Sequence, residues 1–159
     1  MGKTKQPNAR DCFVCGMKND FGLKARFYET EENELVVYFT PKFEHQSYPG
    51  RLHGGVAASI LDEAIGRAMQ IKNPDIWGVT TDLKIKYRAP LPLDCELKAV
   101  CRITNENRMM FEGTGEILTP EGKVAVSAQG LYMKMDVTKI TETDFTEESE
   151  HWRVYPDEE

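Results

Sequence analysis

The chain has 159 residues, 40% of them hydrophobic, which suits a single globular domain with its own core. A formal net charge of −6 and a pI near 5.2 argue against nonspecific nucleic-acid binding and against attachment to anionic membranes. No apolar run is long enough to span a membrane and the first residues lack a signal-peptide pattern, so we expect a cytoplasmic protein with reduced cysteines.

The N-terminal segment, residues 1–19, contains the pair Cys12-Phe13-Val14-Cys15. A C-x-x-C pair is typical of half a zinc site or of a redox pair. The other cysteines, Cys95 and Cys101, are six positions apart in a predicted strand, and the 3 histidines show no metal-ligand spacing. We therefore expect a turn with half-buried thiols, and we expect neither a metal nor a cofactor.

The core, about residues 20–136, is predicted to contain one helix and several strands. Two strands over residues 22–29 and 34–40 precede a helix over residues 53–72, and four strands follow over residues 79–88, 96–105, 108–119 and 123–135. This order most simply gives an α+β fold, an antiparallel sheet of about five to six strands wrapped around one long central helix. Residues 137–159 are predicted to form an acidic surface tail whose aromatic residues, Phe145, Trp152 and Tyr155, dock weakly.

The predicted helix begins with His53-Gly54-Gly55, and Asp62 follows nine positions after His53. Backbone N–H groups at a helix N-terminus stabilise an oxygen that gains negative charge. A carboxylate further along the helix can act as a general base. Ester or thioester hydrolysis requires both of these features.

A helical wheel separates Asp62 from its neighbour Glu63. One apolar stripe is formed by Ala57, Leu61, Ala64, Ala68 and Ile71, and one polar stripe by Ser59, Glu63, Arg67 and Gln70. Glu63 and Arg67 have the favourable i,i+4 orientation, so we interpret Glu63 as a solvated ion-pair residue. Asp62 lies on neither stripe. It lies near Gly66, and a glycine within a helix predicts that another group packs closely there. We therefore favour Asp62 as the functional carboxylate.

Helix geometry also predicts the assembly. Gly55 and Asp62 share one helix face but lie about 10 Å apart along the axis, too far for one carbonyl to reach both. Two antiparallel copies of the helix across a two-fold axis would bring the two groups together. We therefore expect a homodimer with composite sites, or a homotetramer built from such dimers.

Three segments give the chain a family resemblance: C-F-V-C-G-M-K-N-D-F-G-L at residues 12–23, L-H-G-G-V-A-A-S-I-L-D-E-A at residues 52–64 and V-T-T-D-L-K-I-K-Y-R-A-P at residues 79–90. In this order they resemble the hotdog-fold thioesterases, specifically the phenylacetic-acid-degradation (PaaI-like) branch.

The resemblance implies roles for individual residues. Asp62 matches the general base or nucleophile, and Gly55 the backbone N–H that polarises the thioester carbonyl. His53 matches a residue that orders the loop and the substrate carbonyl, and Thr80 a hydroxyl that helps hold the attacking water. Some members also have a water-binding Asn upstream of the glycines, where this chain has Gln46 and Ser47.

The resemblance also implies a coenzyme A thioester as substrate. Lys84, Lys86 and Arg88 are candidates for contacting its phosphates, although an ordinary solvated strand face explains them equally. The remaining candidates for substrate contact are Gly54, Gln46, Ser47, Glu63, Met69 and Thr81.

Three functions remain open at this point. The function that we favour is hydrolysis of acyl-CoA to the free acid and coenzyme A. A non-catalytic module that binds acyl-CoA or lipid on the same fold is the alternative. A hotdog hydratase is less favoured, because the spacing here does not resemble the Asp/His pair that such chemistry requires.

Overall fold

Four strands precede the long helix in the computed structural model, which describes residues 3–142 and 151–157. They are β1 (Thr4–Lys5), β2 (Asn8–Ala9), β3 (Arg26–Glu29) and β4 (Leu35–Phe39). Helix α1 (Gly54–Ala68) tightens into a 3-10 turn over Met69–Ile71. The elements after it are β5 (Trp77–Tyr87), β6 (Leu97–Glu106), β7 (Met110–Leu118), β8 (Val124–Met135), the single turn α2 (Val137–Ile140) and β9 (Trp152–Arg153).

Seven of these strands form one antiparallel sheet in the order β1-β3-β4-β6-β7-β8-β5, and α1 lies against its inner face. The predicted α+β arrangement is confirmed, with one strand more than expected. The additional strand, β1, has only two residues, which is too short for an alternating pattern to reveal. Within the described part of the chain, no helix has the length and apolarity needed to cross a membrane.

Two glycines on β7 determine how closely α1 approaches the sheet. Gly113 and Gly115 both face the helix, and a Cβ at Gly113 would lie 2.6 Å from the Arg102 carbonyl oxygen and 2.7 Å from Ile65 Cγ2. A Cβ at Gly115 would lie 2.5 Å from Cys101 Sγ. Larger residues at these positions would push α1 away from the strands that it contacts.

The predicted stripes of α1 are only partly confirmed. The apolar positions Ala57, Leu61, Ala64 and Ala68 are buried, together with Ile60 and Ile65. The polar stripe is not solvated as predicted, because Arg67 and Gln70 are also buried. A helical wheel cannot reveal this burial, since the residues that cover the polar side come from distant parts of the chain.

Both ends of the chain cover that polar side of α1. Strand β2 near the N-terminus pairs with β9 near the C-terminus. The Arg67 guanidinium lies 4.0 Å from the ring centroid of Phe27 and 4.7 Å from that of Trp152. Because Tyr155 is buried as well, the tail docks more firmly than predicted, while Phe145 lies outside the described residues.

The close approach of α1 gives a first prediction. Gly113→Ala should lower the free energy of unfolding by about 1–3 kcal/mol, because the new methyl group overlaps a backbone oxygen and a helix side chain. Glu112→Ala, on the opposite face of the same strand, should change it by no more than about 0.5 kcal/mol. Urea denaturation of both variants measures the difference. Equal stabilities would contradict the tight helix–sheet contact.

Candidate active site

The carboxylate of Asp62 is held by side chains from two strands. Thr80 Oγ1 on β5 donates a hydrogen bond of 2.6 Å to Asp62 Oδ1. The Tyr132 hydroxyl on β8 donates to the Asp62 carbonyl oxygen at 2.7 Å and lies 3.3 Å from Oδ1. Burial and the nearby Asp62 charge raise the pKa of Tyr132, so this hydroxyl remains a donor at neutral pH. Asp62 is therefore a half-buried carboxylate in a fixed orientation.

A β-bulge in β5 separates Thr80 from its neighbour Thr81. The register with β8 shifts between Thr80 and Asp82, so Thr81 is the extra residue. Bulges redirect side chains and are common beside active sites. Thr81 Oγ1 donates to the Leu131 carbonyl oxygen at 3.1 Å, whereas Thr80 reaches α1. Of the two candidate threonines, only Thr80 contacts Asp62.

The close contact predicted at Gly66 is confirmed, and its partner is Tyr132. A Cβ at Gly66 would lie 3.3 Å from Tyr132 Cε1. The Tyr132 ring also stacks on Phe111, with centroids 5.0 Å apart. Tyr132 lies 70 positions after Asp62 and belongs to no local motif, so only the strand register could have identified it.

His53 caps the N-terminus of α1. Its Nδ1 accepts a hydrogen bond of 2.8 Å from the Gly55 N–H, so the neutral ring carries its proton on Nε2. The Gly55 N–H that the sequence assigned to a substrate carbonyl is therefore bonded to His53 in this structure. Beside it, the Tyr87 hydroxyl donates to the Gly54 carbonyl oxygen at 2.7 Å.

The loop before α1 contains the other two polar candidates. Gln46 Oε1 accepts from the Gly50 N–H at 3.2 Å, and the Ser47 N–H donates to the Arg51 carbonyl oxygen at 2.9 Å. This loop lies at the N-terminal end of α1, about 10 Å along the helix axis from Asp62. Within one chain, the helix N-terminus and the Asp62–Thr80 pair thus form two separate groups.

Asp62 and Thr80 line a cavity of about 410 Å³. Its wall includes Trp77 and Trp152, whose ring centroids are 5.0 Å apart. Trp152 comes from the C-terminal tail, so residues far from Asp62 in sequence complete the cavity. The sequence predicted that Trp152 would dock, but it did not indicate that either tryptophan would line this cavity.

Other predicted substrate contacts lie away from this cavity. Lys84, Lys86 and Arg88 line a separate groove, on the face of β5 opposite to Leu83 and Ile85, which pack against the core. Met69, another candidate for substrate contact, is buried in the core and does not line the cavity beside Asp62.

Glu63 makes the predicted ion pair with Arg67, but it also contacts the thiol pair. Its Oε2 accepts from Arg67 Nε at 3.1 Å, and its Oε1 lies 3.0 Å from Cys12 Sγ. Arg67 also donates to Cys15 Sγ at 2.9 Å. A hydrogen bond from Cys15 lowers the pKa of Cys12, and the same bond together with burial raises the pKa of Cys15. The thiols and Glu63 therefore form one cluster on the cavity wall.

Sequence and structure comparisons connect this site to known proteins. Residues 49–126, which include His53, Asp62 and Thr80, match the profile of the thioesterase superfamily. Acyl-coenzyme A thioesterase THEM4 of Rattus norvegicus is 27% identical over 139 residues, covering 86% of this chain and 59% of that protein. This chain thus spans less than two thirds of the length of that relative.

Solved structures of similar proteins have the same fold. The crystal structure of a thioesterase superfamily protein is 27% identical, with a TM-score of 0.71 over 79% of this chain and 60% of that chain. A Bacillus halodurans protein solved with CoA is 24% identical, with a TM-score of 0.61 over 69% of this chain and 72% of that chain.

Proposed function

We propose that this chain is a thioesterase with the hotdog fold and that it hydrolyses acyl-CoA thioesters to the free acid and coenzyme A. The observation that carries the proposal is the hydrogen bond of 2.6 Å between Thr80 and Asp62 at the wall of a cavity. The acyl-CoA thioesterase relatives support the reaction, and the Bacillus halodurans protein solved with CoA supports the coenzyme.

Asp62 supplies the chemistry through its side-chain carboxylate. As a general base it takes a proton from water while the water oxygen bonds to the thioester carbon. The C–S bond then breaks, and the proton leaves with the thiol of coenzyme A. As a nucleophile, Asp62 would bond to the same carbon while the C–S bond breaks and coenzyme A leaves as its thiolate. Water then hydrolyses the resulting anhydride, which releases the acid and a proton and restores the Asp62 carboxylate. In either role, Thr80 orients the carboxylate.

The thioester carbonyl is polarised at the N-terminus of α1. The oxygen gains negative charge as water attacks, and the helix N-terminus stabilises that charge. In this proposal the carbonyl oxygen takes over the Gly55 N–H from His53 Nδ1. The neutral His53 ring is exposed, and its Nε2–H is a second donor near the helix N-terminus.

The active site is proposed to combine two chains. The separation of about 10 Å between Gly55 and Asp62 along α1 requires a second helix N-terminus close to each carboxylate. Strand β5, 11 residues long, is the last strand of the sheet, so one of its edges lies unpaired among the described residues. Such an edge favours pairing with another chain. We therefore infer a homodimer, in which the partner's Gly55 serves the Asp62 of this chain.

The first test of this function is release of coenzyme A from a panel of acyl-CoAs, followed with a thiol reagent. Asp62→Asn should reduce turnover by about 10²–10⁴, because a positioned base is lost. Glu63→Gln should cost less, because Glu63 faces Arg67 and Cys12 rather than Thr80. A larger loss for Glu63→Gln would contradict the assignment. Acyl-CoA binding without any turnover would instead favour a non-catalytic binding module.

Replacement of Thr80 tests whether this residue positions the base. Thr80→Val keeps the shape of the side chain and removes the hydroxyl, so kcat should fall by up to about 10² while KM changes little. Thr81→Val, one residue away, loses only the bond to the Leu131 carbonyl oxygen and should cost less. Equal losses in kcat for both variants, measured on one acyl-CoA, would show that the bulge matters rather than the contact with Asp62.

A further inference from the structure

The cluster of Cys12, Cys15 and Glu63 has no part in the proposed hydrolysis. Their possible ligand atoms, two sulfurs and a carboxylate oxygen, all lie within 4.8 Å of one another. Cys12 and Glu63 are half-buried and Cys15 is buried. Two sulfurs and a carboxylate oxygen form the donor set of a zinc site with three protein ligands. Because the cluster lies on the wall of a cavity, the fourth position of such a site would be open.

The turn that contains the two cysteines is tight, and it positions the Cys15 sulfur. The Gly16 N–H donates to the Cys12 carbonyl oxygen at 2.7 Å, and a Cβ at Gly16 would lie 2.3 Å from that oxygen. The Ala9 N–H donates to Cys15 Sγ at 3.4 Å. These contacts hold the Cys15 sulfur beside Cys12 and Glu63.

The position of Glu63 favours a metal over a redox pair. A carboxylate oxygen of Glu63 lies 3.0 Å from Cys12 Sγ, where it would repel a negatively charged sulfur. A divalent cation would convert this repulsion into attraction. Two thiolates, one carboxylate, the Arg67 guanidinium and a divalent cation together have no net charge. Because Oε2 pairs with Arg67, Oε1 is left for the cation.

We propose that Cys12, Cys15 and Glu63 bind one zinc ion, with water as its fourth ligand on the side of the cavity. Thiolates exclude magnesium and calcium, which prefer oxygen ligands, and the carboxylate disfavours copper(I). This proposal reverses the expectation of no metal, because the third ligand comes from a residue 51 positions beyond Cys12.

Metal analysis of the full chain tests this proposal. The reduced protein is incubated with zinc, passed through a desalting column and assayed for zinc, and a second sample receives cobalt(II). We expect about one zinc per chain, and a thiolate-to-cobalt absorption band in the near ultraviolet. Cys12→Ser, Cys15→Ser and Glu63→Gln should each weaken zinc binding at least about tenfold. Cys95→Ser and Asp11→Asn change a thiol and a carboxylate outside the cluster, so these control variants should bind zinc as tightly as the unmodified chain.

Several results would overturn the zinc site. The first is less than about a tenth of a zinc per chain while both thiols are reduced. Zinc affinity that is equal in Glu63→Gln and the unmodified chain would reject this ligand set. A mass lower by two hydrogen atoms, without metal binding, would show a Cys12–Cys15 disulfide instead. The cobalt spectrum of the unmodified chain decides the case even where a cysteine variant fails to fold.

Discussion

The close packing of helix α1 on the sheet is the constraint on which the rest of the structure depends. Gly113 on β7 has no room for a side chain beneath Ile65, and Gly66 on the helix has Tyr132 in contact with it. At this separation Thr80 reaches the Asp62 carboxylate, and the Tyr132 hydroxyl reaches the helix backbone. A displacement of the helix by a few tenths of an ångström would lengthen both hydrogen bonds. The glycines thus determine the geometry of the carboxylate.

Buried Arg67 connects the two ends of the chain to the same helix. Its guanidinium donates to the Pro7 carbonyl oxygen at 2.6 Å, pairs with Glu63 and lies against the Trp152 ring. A buried charge is costly unless it is paired and hydrogen-bonded. Here the N-terminal segment accepts hydrogen bonds from Arg67, and the C-terminal segment covers its guanidinium with the Trp152 ring. The same segments form part of the cavity wall beside Asp62, so the packing of the chain ends also shapes the candidate site.

The sequence predicted the elements with strong periodicity and the residues within one helix, but not contacts between distant elements. The long strands follow from the alternation of apolar and polar residues, and α1 follows from its helical periodicity. The helical wheel also predicted the ion pair between Glu63 and Arg67 correctly. Burial of Arg67 was missed, because the residues that cover it lie far away in sequence. The same reason applies to the contact of Tyr132 with Asp62 and to the contact of Cys12 with Glu63.

Subunit mixing tests the central claim, a site shared between two chains. Asp62→Asn and Gly55→Val chains with different affinity tags are each expected to be inactive, and their heterodimers are purified on both tags. Each heterodimer then contains one doubly altered site and one intact site, so up to about half of the unmodified activity should return. Acyl-CoA hydrolysis by these folded heterodimers is the measurement. Persistent inactivity, or a chain that remains monomeric at assay concentration, would contradict the account.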